Sequence, residues 1–268
     1  MKLSTKALVA VSAFLVLSLL MPVHNGERLS LIGLDFHKVA LAAAPTLGED
    51  SNDDFYDPFA DTTKTEVAPD PLERMNRAFF VFNDKLYFWF LKPISQIYGT
   101  FIPPGLRICI RNGFDNLRFP CRFVNNVLQG KFKAAGIETG RFLINSTLGF
   151  AGFFEIASRE FNLTPTVDED TGQTLGFYGV KPGFYIVWPV FGPSTVRDTF
   201  GLGGDAVLNP LWWIPHDLWV SAAIRTGIIV NNTSLRIGDY EDFKKAAVDP
   251  YASMRQAYLQ NRENDILK

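Results

Sequence analysis

Between Pro71 and Leu91 the chain reads PLERMNRAFFVFNDKLYFWFL. Laid on a helix, one row carries Phe79, Phe82, Leu86 and Trp89 at 3-4-3 spacing, and a second carries Phe80, Tyr87, Phe88 and Leu91. Asn76 and Asn83 form a narrow polar strip between them. A helix apolar over most of its circumference is either deeply buried or faces lipid. Asp70 is a good N-cap, Pro71 suits the first helical position, and Glu73 gives a capping-box-like start. Lys92-Pro93 is expected to end or kink the helix.

A second apolar segment, GFYIVWPVF, runs from Gly183 to Phe191, with Pro189 inside it. The chain then turns polar at once, in GPSTVRDTFG from Gly192 to Gly201. Gly192 and Pro193 read as the start of a helix from about Ser194 to Val207, stopped at Asn209-Pro210. That explains the turn but not the accumulation of aromatics. Phe alone occurs 24 times, while charged residues are 20% of the chain, below the average of roughly 25%.

Residues 105–129 form one long helix or two short ones broken near Pro120. Arg107, Arg111, Arg118 and Arg122, spaced 4-7-4, fall within about 60° of one another on a continuous helix. Cys109, Ile110, Leu117, Cys121, Val124 and Leu128 fill the opposite arc. The pattern fits an interfacial helix whose arginines meet lipid headgroups; a solvated face over a buried back fits it too. Further helices are expected over Lys131–Leu148, over LWWIPHDLWVSAAIRTGIIV, and from Asp249-Pro250 onward. Few segments alternate with period two. The fold class is mostly α, a compact bundle of amphipathic helices with room for one short hairpin near 174–190.

Lys2 and Lys6 precede an apolar run from Ala7 to Met21, and Ala40-Leu41-Ala42 gives a small-residue pattern. Residues 1–44 therefore read as a long signal peptide cleaved near 42–44, or as an anchor left uncleaved around 7–23. Residues 49–70 carry eight acids and one base, an acidic stretch that reads as a solvated linker over 45–69. From residue 71 onward there are 21 Lys and Arg against 18 Asp and Glu, too even a balance for a nucleic-acid partner. The main domain spans 70–262, with a tail at 263–268. Cys109 and Cys121 read as two free thiols that do not face one another.

Chemistry-bearing constellations are scarce. His216 is the sole His beyond the targeting region, and one His without a Cys cluster makes a poor metal site. It could serve a lipase-like triad, but no Gly-x-Ser-x-Gly elbow is present. GLGGDA at 201–206 reads as a turn flanking a helix rather than a dinucleotide loop. Asp168-Glu169-Asp170 could hold calcium, although such a run is more often a solvated loop. No catalytic residue, metal or cofactor is expected.

Six features in order carry a resemblance: DPLERMNR at 70–77, FLINSTLGFAGFFEIAS at 142–158, GQTLGFYGV at 172–180, GPSTVRDTFG at 192–201, the Asn209-Pro210 pair, and DPYASMRQAYLQ at 249–260. Together they resemble the MlaA/VacJ family of outer-membrane lipid-transport proteins, over most of residues 70–260. The resemblance implies a compact helical ring in the outer membrane with an amphipathic channel. It implies a non-enzymatic role, reached by Sec-type export, in passing phospholipid from the outer membrane to a periplasmic carrier, beside trimeric porins. Candidates for the lipid path or membrane-facing wall are Phe79, Phe82, Leu86, Trp89, Phe184, Tyr185 and Trp188, with headgroups at the four arginines. Asp70, Pro71, Asn76, Gly192, Pro193, Ser194, Arg197, Asp198, Asn209 and Pro210 are the structural residues of the motifs. Family members usually carry a lipidated Cys after the signal region, whereas no Cys precedes Cys109 here, so attachment is expected through helices, an uncleaved N-terminus or a partner. The rival role is a structural porin- or envelope-interaction module without its own channel.

Overall fold

A computed structural model of the chain describes residues 70–213 and 217–268. The expectations for residues 1–69 and for His216 lie outside the described residues. Helix α1 (Glu73–Leu86) continues through a π-helical turn (Tyr87–Leu91) into α2 (Lys92–Phe101). Lys92-Pro93 therefore does not end the helix. Pro93 has no N–H to give the carbonyl four residues back, and its ring crowds that carbonyl; the wider turn directly before it makes room. Asp70 is not the cap either. The helix opens at Glu73 after Leu72 without a side-chain cap, and Glu73 pairs with Arg77 at 2.8 Å instead of closing a capping box.

Helices α3 (Pro104–Leu117) and α4 (Phe119–Leu128) are separated by a break at Arg118, with Pro120 in the first turn of α4. Then come α5 (Phe132–Thr147), α6 (Ile156–Phe161) and α7 (Thr171–Phe177). Strands β1 (Tyr185–Trp188) and β2 (Gly192–Thr195) pair antiparallel, Tyr185 opposite Thr195 and Trp188 opposite Gly192. The remaining elements are α8 (Val196–Leu208), α9 (Pro210–Trp213), α10 (Leu218–Ser234), α11 (Asp239–Ala246) and α12 (Pro250–Leu267). The chain is mostly α with one small hairpin, as the sequence implies.

The hairpin lies later than expected. Residues 174–177 finish α7, and Gly192–Thr195, read from sequence as a helix start, are the second strand. Pro193 fits there because it faces Val187, a position whose N–H turns away from β2 to Asn76; Phe184, three residues earlier and just beyond the Tyr185–Thr195 pair, accepts from Val196 N–H at 3.2 Å. Thr195 opens α8, its hydroxyl accepting from Asp198 N–H at 3.2 Å. Asp249 caps α12 as expected, accepting from Tyr251 and Ala252 N–H. That helix runs to Leu267, through the stretch read from sequence as a tail at 263–268.

Packing runs in a closed circuit. α2 lies on α10, α10 on α3, α3 on α4 and α5, α4 on α7, α7 on α8 and α12, α12 on β2, and β1 back on α1. The apolar core sits at one station of it, where Leu86 and Tyr87 meet Tyr185, Val187, Met254 and Tyr258. Among the described residues no helix is long and apolar enough to cross a membrane.

Candidate functional site

The polar strip of α1 has a definite task. Asn76, with no exposed surface, donates to the Tyr185 carbonyl at 3.0 Å and accepts from Val187 N–H at 2.8 Å. One amide side chain thus supplies the free edge of β1 with the pair of bonds a third strand would give it. Two turns on, Asn83 donates to the Trp188 carbonyl at 3.0 Å and accepts from Val190 N–H at 2.7 Å. Val190 is β-branched yet has φ 73°, a strained conformation in the hairpin turn, and Asn83 holds it there. Asp70, displaced from the cap, accepts from Asn76 at 2.7 Å and from the Tyr251 hydroxyl, tying the start of α1 to α12.

Asp168, Glu169 and Asp170 are neither a calcium loop nor a solvated one. Each reaches a different basic group: Arg118 at 2.8 Å from Asp168, Lys131 at 2.8 Å from Glu169, and Arg262 in a two-pronged contact of 2.6 and 3.0 Å with Asp170. Arg262 also bonds both oxygens of Asp198, at 2.6 and 3.0 Å, and Tyr258 and Arg197 donate to the same carboxylate. Burial pushes the Asp198 carboxyl up, but the charge and hydrogen bonds of Arg262 outweigh it and hold the group below the usual carboxylate range. The close approach of α7 and α8 needs glycines: a Cβ on Gly201 would stand 2.5 Å from Gly172 N. Nearby, Cys121 donates to Asp205 at 3.2 Å, and burial, then that carboxylate, push the thiol far up; both cysteines are free. The sequence analysis missed Arg262, Tyr258, Gln129 and Glu138. Tyr251, Met254, Tyr258 and Arg262 at helical spacing were the available signal for the first two.

The four arginines form no single outward stripe. The arithmetic of 100° per residue holds only within one helix, and the chain breaks at Arg118. Arg118, 2% exposed, is enclosed against Asp168. Arg122 bonds the buried Glu138 at 2.7 Å and the Asp115 carbonyl at 2.9 Å. Arg107 fastens the end of α10 through the Ser234 carbonyl at 2.8 Å. Arg111 is half-buried and keeps a part of its surface. Amid these groups, burial raises the Asp115 carboxyl to about 6.

The expected lipid-facing set also divides. Leu86 and Tyr185 are core, Phe79 packs against the core, and Trp188 is half-buried with its indole N–H on Thr199 at 3.1 Å. Phe82, Trp89 and Phe184 remain exposed. Of the motif residues, Pro71 lies in an exposed turn, Ser194 meets the Thr199 hydroxyl at 3.1 Å, Asn209 accepts from Leu211 N–H at 3.0 Å, and Pro210 opens α9.

Among the described residues, 28 polar or charged side chains are buried against 19 apolar ones, while 29 large apolar side chains are exposed. A protein folded for water has the opposite distribution, and exposed apolar area on this scale marks an interaction surface. Among the same residues no group of three His, Cys, Asp or Glu could hold a metal ion.

Comparison with known proteins agrees. Residues 68–265 match the MlaA lipoprotein family. The intermembrane phospholipid transport system lipoprotein MlaA of Haemophilus influenzae is 30% identical, with 75% of this chain and 80% of that protein aligned. Its namesake in Escherichia coli K12 is 31% identical over the same shares. An uncharacterised protein of Rickettsia bellii is 34% identical over 74% of this chain and 76% of its own. A solved structure, from work on the structural basis for maintenance of bacterial outer membrane lipid asymmetry, superposes with a TM-score of 0.66 at 30% identity, covering 74% of this chain and 99% of its own. The chain belongs to the MlaA lipoprotein family.

Proposed function

We propose that this chain is the outer-membrane component that draws phospholipid from that membrane and passes it to a periplasmic carrier, beside a trimeric porin and without enzymatic chemistry. The observation that carries this is the inverted distribution of side chains: an apolar exterior over a polar, ion-paired interior. An acyl chain cannot cross water without an apolar wall, since each CH₂ left in water costs about 0.8 kcal/mol. Phe82, Trp89 and Phe184 supply exposed apolar surface for acyl chains, and the half-buried Arg111 offers a guanidinium to a headgroup. The names of the relatives support phospholipid as the cargo.

The test is reconstitution of the full chain in vesicles carrying a fluorescent phospholipid, with a purified periplasmic lipid-binding protein outside. Transfer to that acceptor, dependent on this chain, is expected. Membrane binding with no transfer would refute the proposal and leave a structural envelope module in its place.

A further inference from the structure

The segment Leu148–Phe154, LGFAGFF, joins α5 to α6 and carries no charge. It exposes Leu148, Phe150, Phe153 and Phe154, with Phe150 at 71%. Its backbone is left-handed at three successive residues: Phe150 at φ 51°, Ala151 at 58° and Gly152 at 88°. For Phe and Ala that conformation is uncommon, and such strain persists only where the surroundings impose it.

The surroundings do impose it. A Cβ on Gly149 would stand 2.3 Å from the Phe154 carbonyl, and one on Gly152 would stand 2.4 Å from Asn116 Cβ, so the loop is seated too closely to relax. Asn112 donates to the Phe153 carbonyl at 3.4 Å. Six of the seven N–H groups from Leu148 to Phe154 donate within the loop or to the end of α5, at 2.8 to 3.2 Å. Six of the seven backbone donors are therefore already satisfied without water, and Phe150 N–H at the tip is the exception.

We infer that Leu148–Phe154 is a preformed wedge that enters the acyl boundary of a lipid leaflet. A loop enters apolar surroundings at least cost when its N–H groups are satisfied internally, and this one satisfies six of seven, leaving the Phe150 N–H to a polar group at the leaflet boundary, while presenting apolar side chains alone. Its rigid shape removes most of the ordering cost that a flexible loop would meet on binding. The inference rests on the membrane role proposed above and names one segment of that contact.

The test uses the full chain with Cys109→Ala and Phe150→Cys, the new thiol carrying an environment-sensitive dye; Cys121 is buried and unreactive. On zwitterionic phosphatidylcholine vesicles, the dye should shift to the blue, resist iodide, and be quenched by a nitroxide placed shallowly on the acyl chain. Separately, Phe150→Ser with Phe154→Ser should weaken partitioning about 100-fold, roughly tenfold per ring, with helicity and salt dependence unchanged. Vesicle-bound protein whose dye stays open to iodide would overturn the wedge alone. So would a double variant that binds as the wild type does, or a dye shielded only when a porin is added without lipid. A wild type that fails to bind vesicles would overturn both this inference and the proposed function, whereas an inserted wedge without lipid transfer would overturn only the latter.

Discussion

Asn76→Asp is the smallest change that probes how α1 holds the hairpin. The new carboxyl keeps the acceptor that Val187 N–H uses, but it loses the donor that bonds Asp70 at 2.7 Å and Tyr185 at 3.0 Å. It sets two carboxylates within hydrogen-bond distance of each other at a site with no exposed surface. At an effective dielectric constant of about 20, two such charges repel by roughly 4–6 kcal/mol. The folded protein has a cheaper course, which is to take up one proton and share it across the pair. Charging that proton at pH 7 against an unfolded carboxyl pKa of about 3.9 costs about 4 kcal/mol, a large part of a total stability of 5–15 kcal/mol. The folded variant then binds more protons than the unfolded one, so its deficit against wild type shrinks by about 1.4 kcal/mol for each pH unit of acidification and levels off near pH 4, at the remaining cost of the Tyr185 carbonyl left without its donor. Denaturant unfolding of the full chain in a mild detergent, followed by circular dichroism between pH 4 and 8, measures the difference. A deficit independent of pH, or one that widens on acidification, would refute the clamp.

Arg262→Leu should cost about 3 kcal/mol in the same assay, because it removes the guanidinium that the buried Asp170 and Asp198 share, and Arg262→Lys should recover little, since an ammonium cannot bond both carboxylates as the fork does. Ala151→Gly should raise stability by about 1 kcal/mol, by relieving a left-handed alanine; a fall would mean the turn is not strained. Gly192→Val should be severe, a loss of several kcal/mol at φ 79°, whereas Pro193→Ala should cost about 1 kcal/mol or less. Equal melting of those last two variants would count against the hairpin geometry.

The mostly helical class, the α12 start at Asp249-Pro250, the α8 stop at Asn209 and the family motifs were legible because each rests on local signals a few residues long. What failed were inferences that needed distant partners. The hairpin was misplaced because Gly192–Thr195 has no strand pattern of its own; its partner strand is pinned by Asn76, more than a hundred residues away. The run Asp168-Glu169-Asp170 looked solvated because its bases stand 50, 38 and 92 residues away. The arginine stripe failed for a different reason. A helical wheel assumes one continuous helix, and a break at Arg118 reassigns every residue beyond it.

The polar interior and the apolar exterior have one physical cause if the surroundings are lipid, as proposed. Moving a leucine from a hydrocarbon environment into a protein core gains little, because lipid tails are as apolar as the core. The hydrophobic effect then no longer distinguishes inside from outside, and an assembly of short helices must be specified by contacts that lipid cannot offer. Asn76 and Asn83 completing a strand edge, Arg262 spanning two carboxylates, and Glu138 between Arg122 and Arg141 are such contacts. Each would lose far more in hydrocarbon, unpaired, than in water. The same bonds that close the circuit of helices therefore hold it more firmly as the medium becomes less polar, while exposed Phe, Trp and Leu side chains are left free to meet acyl chains.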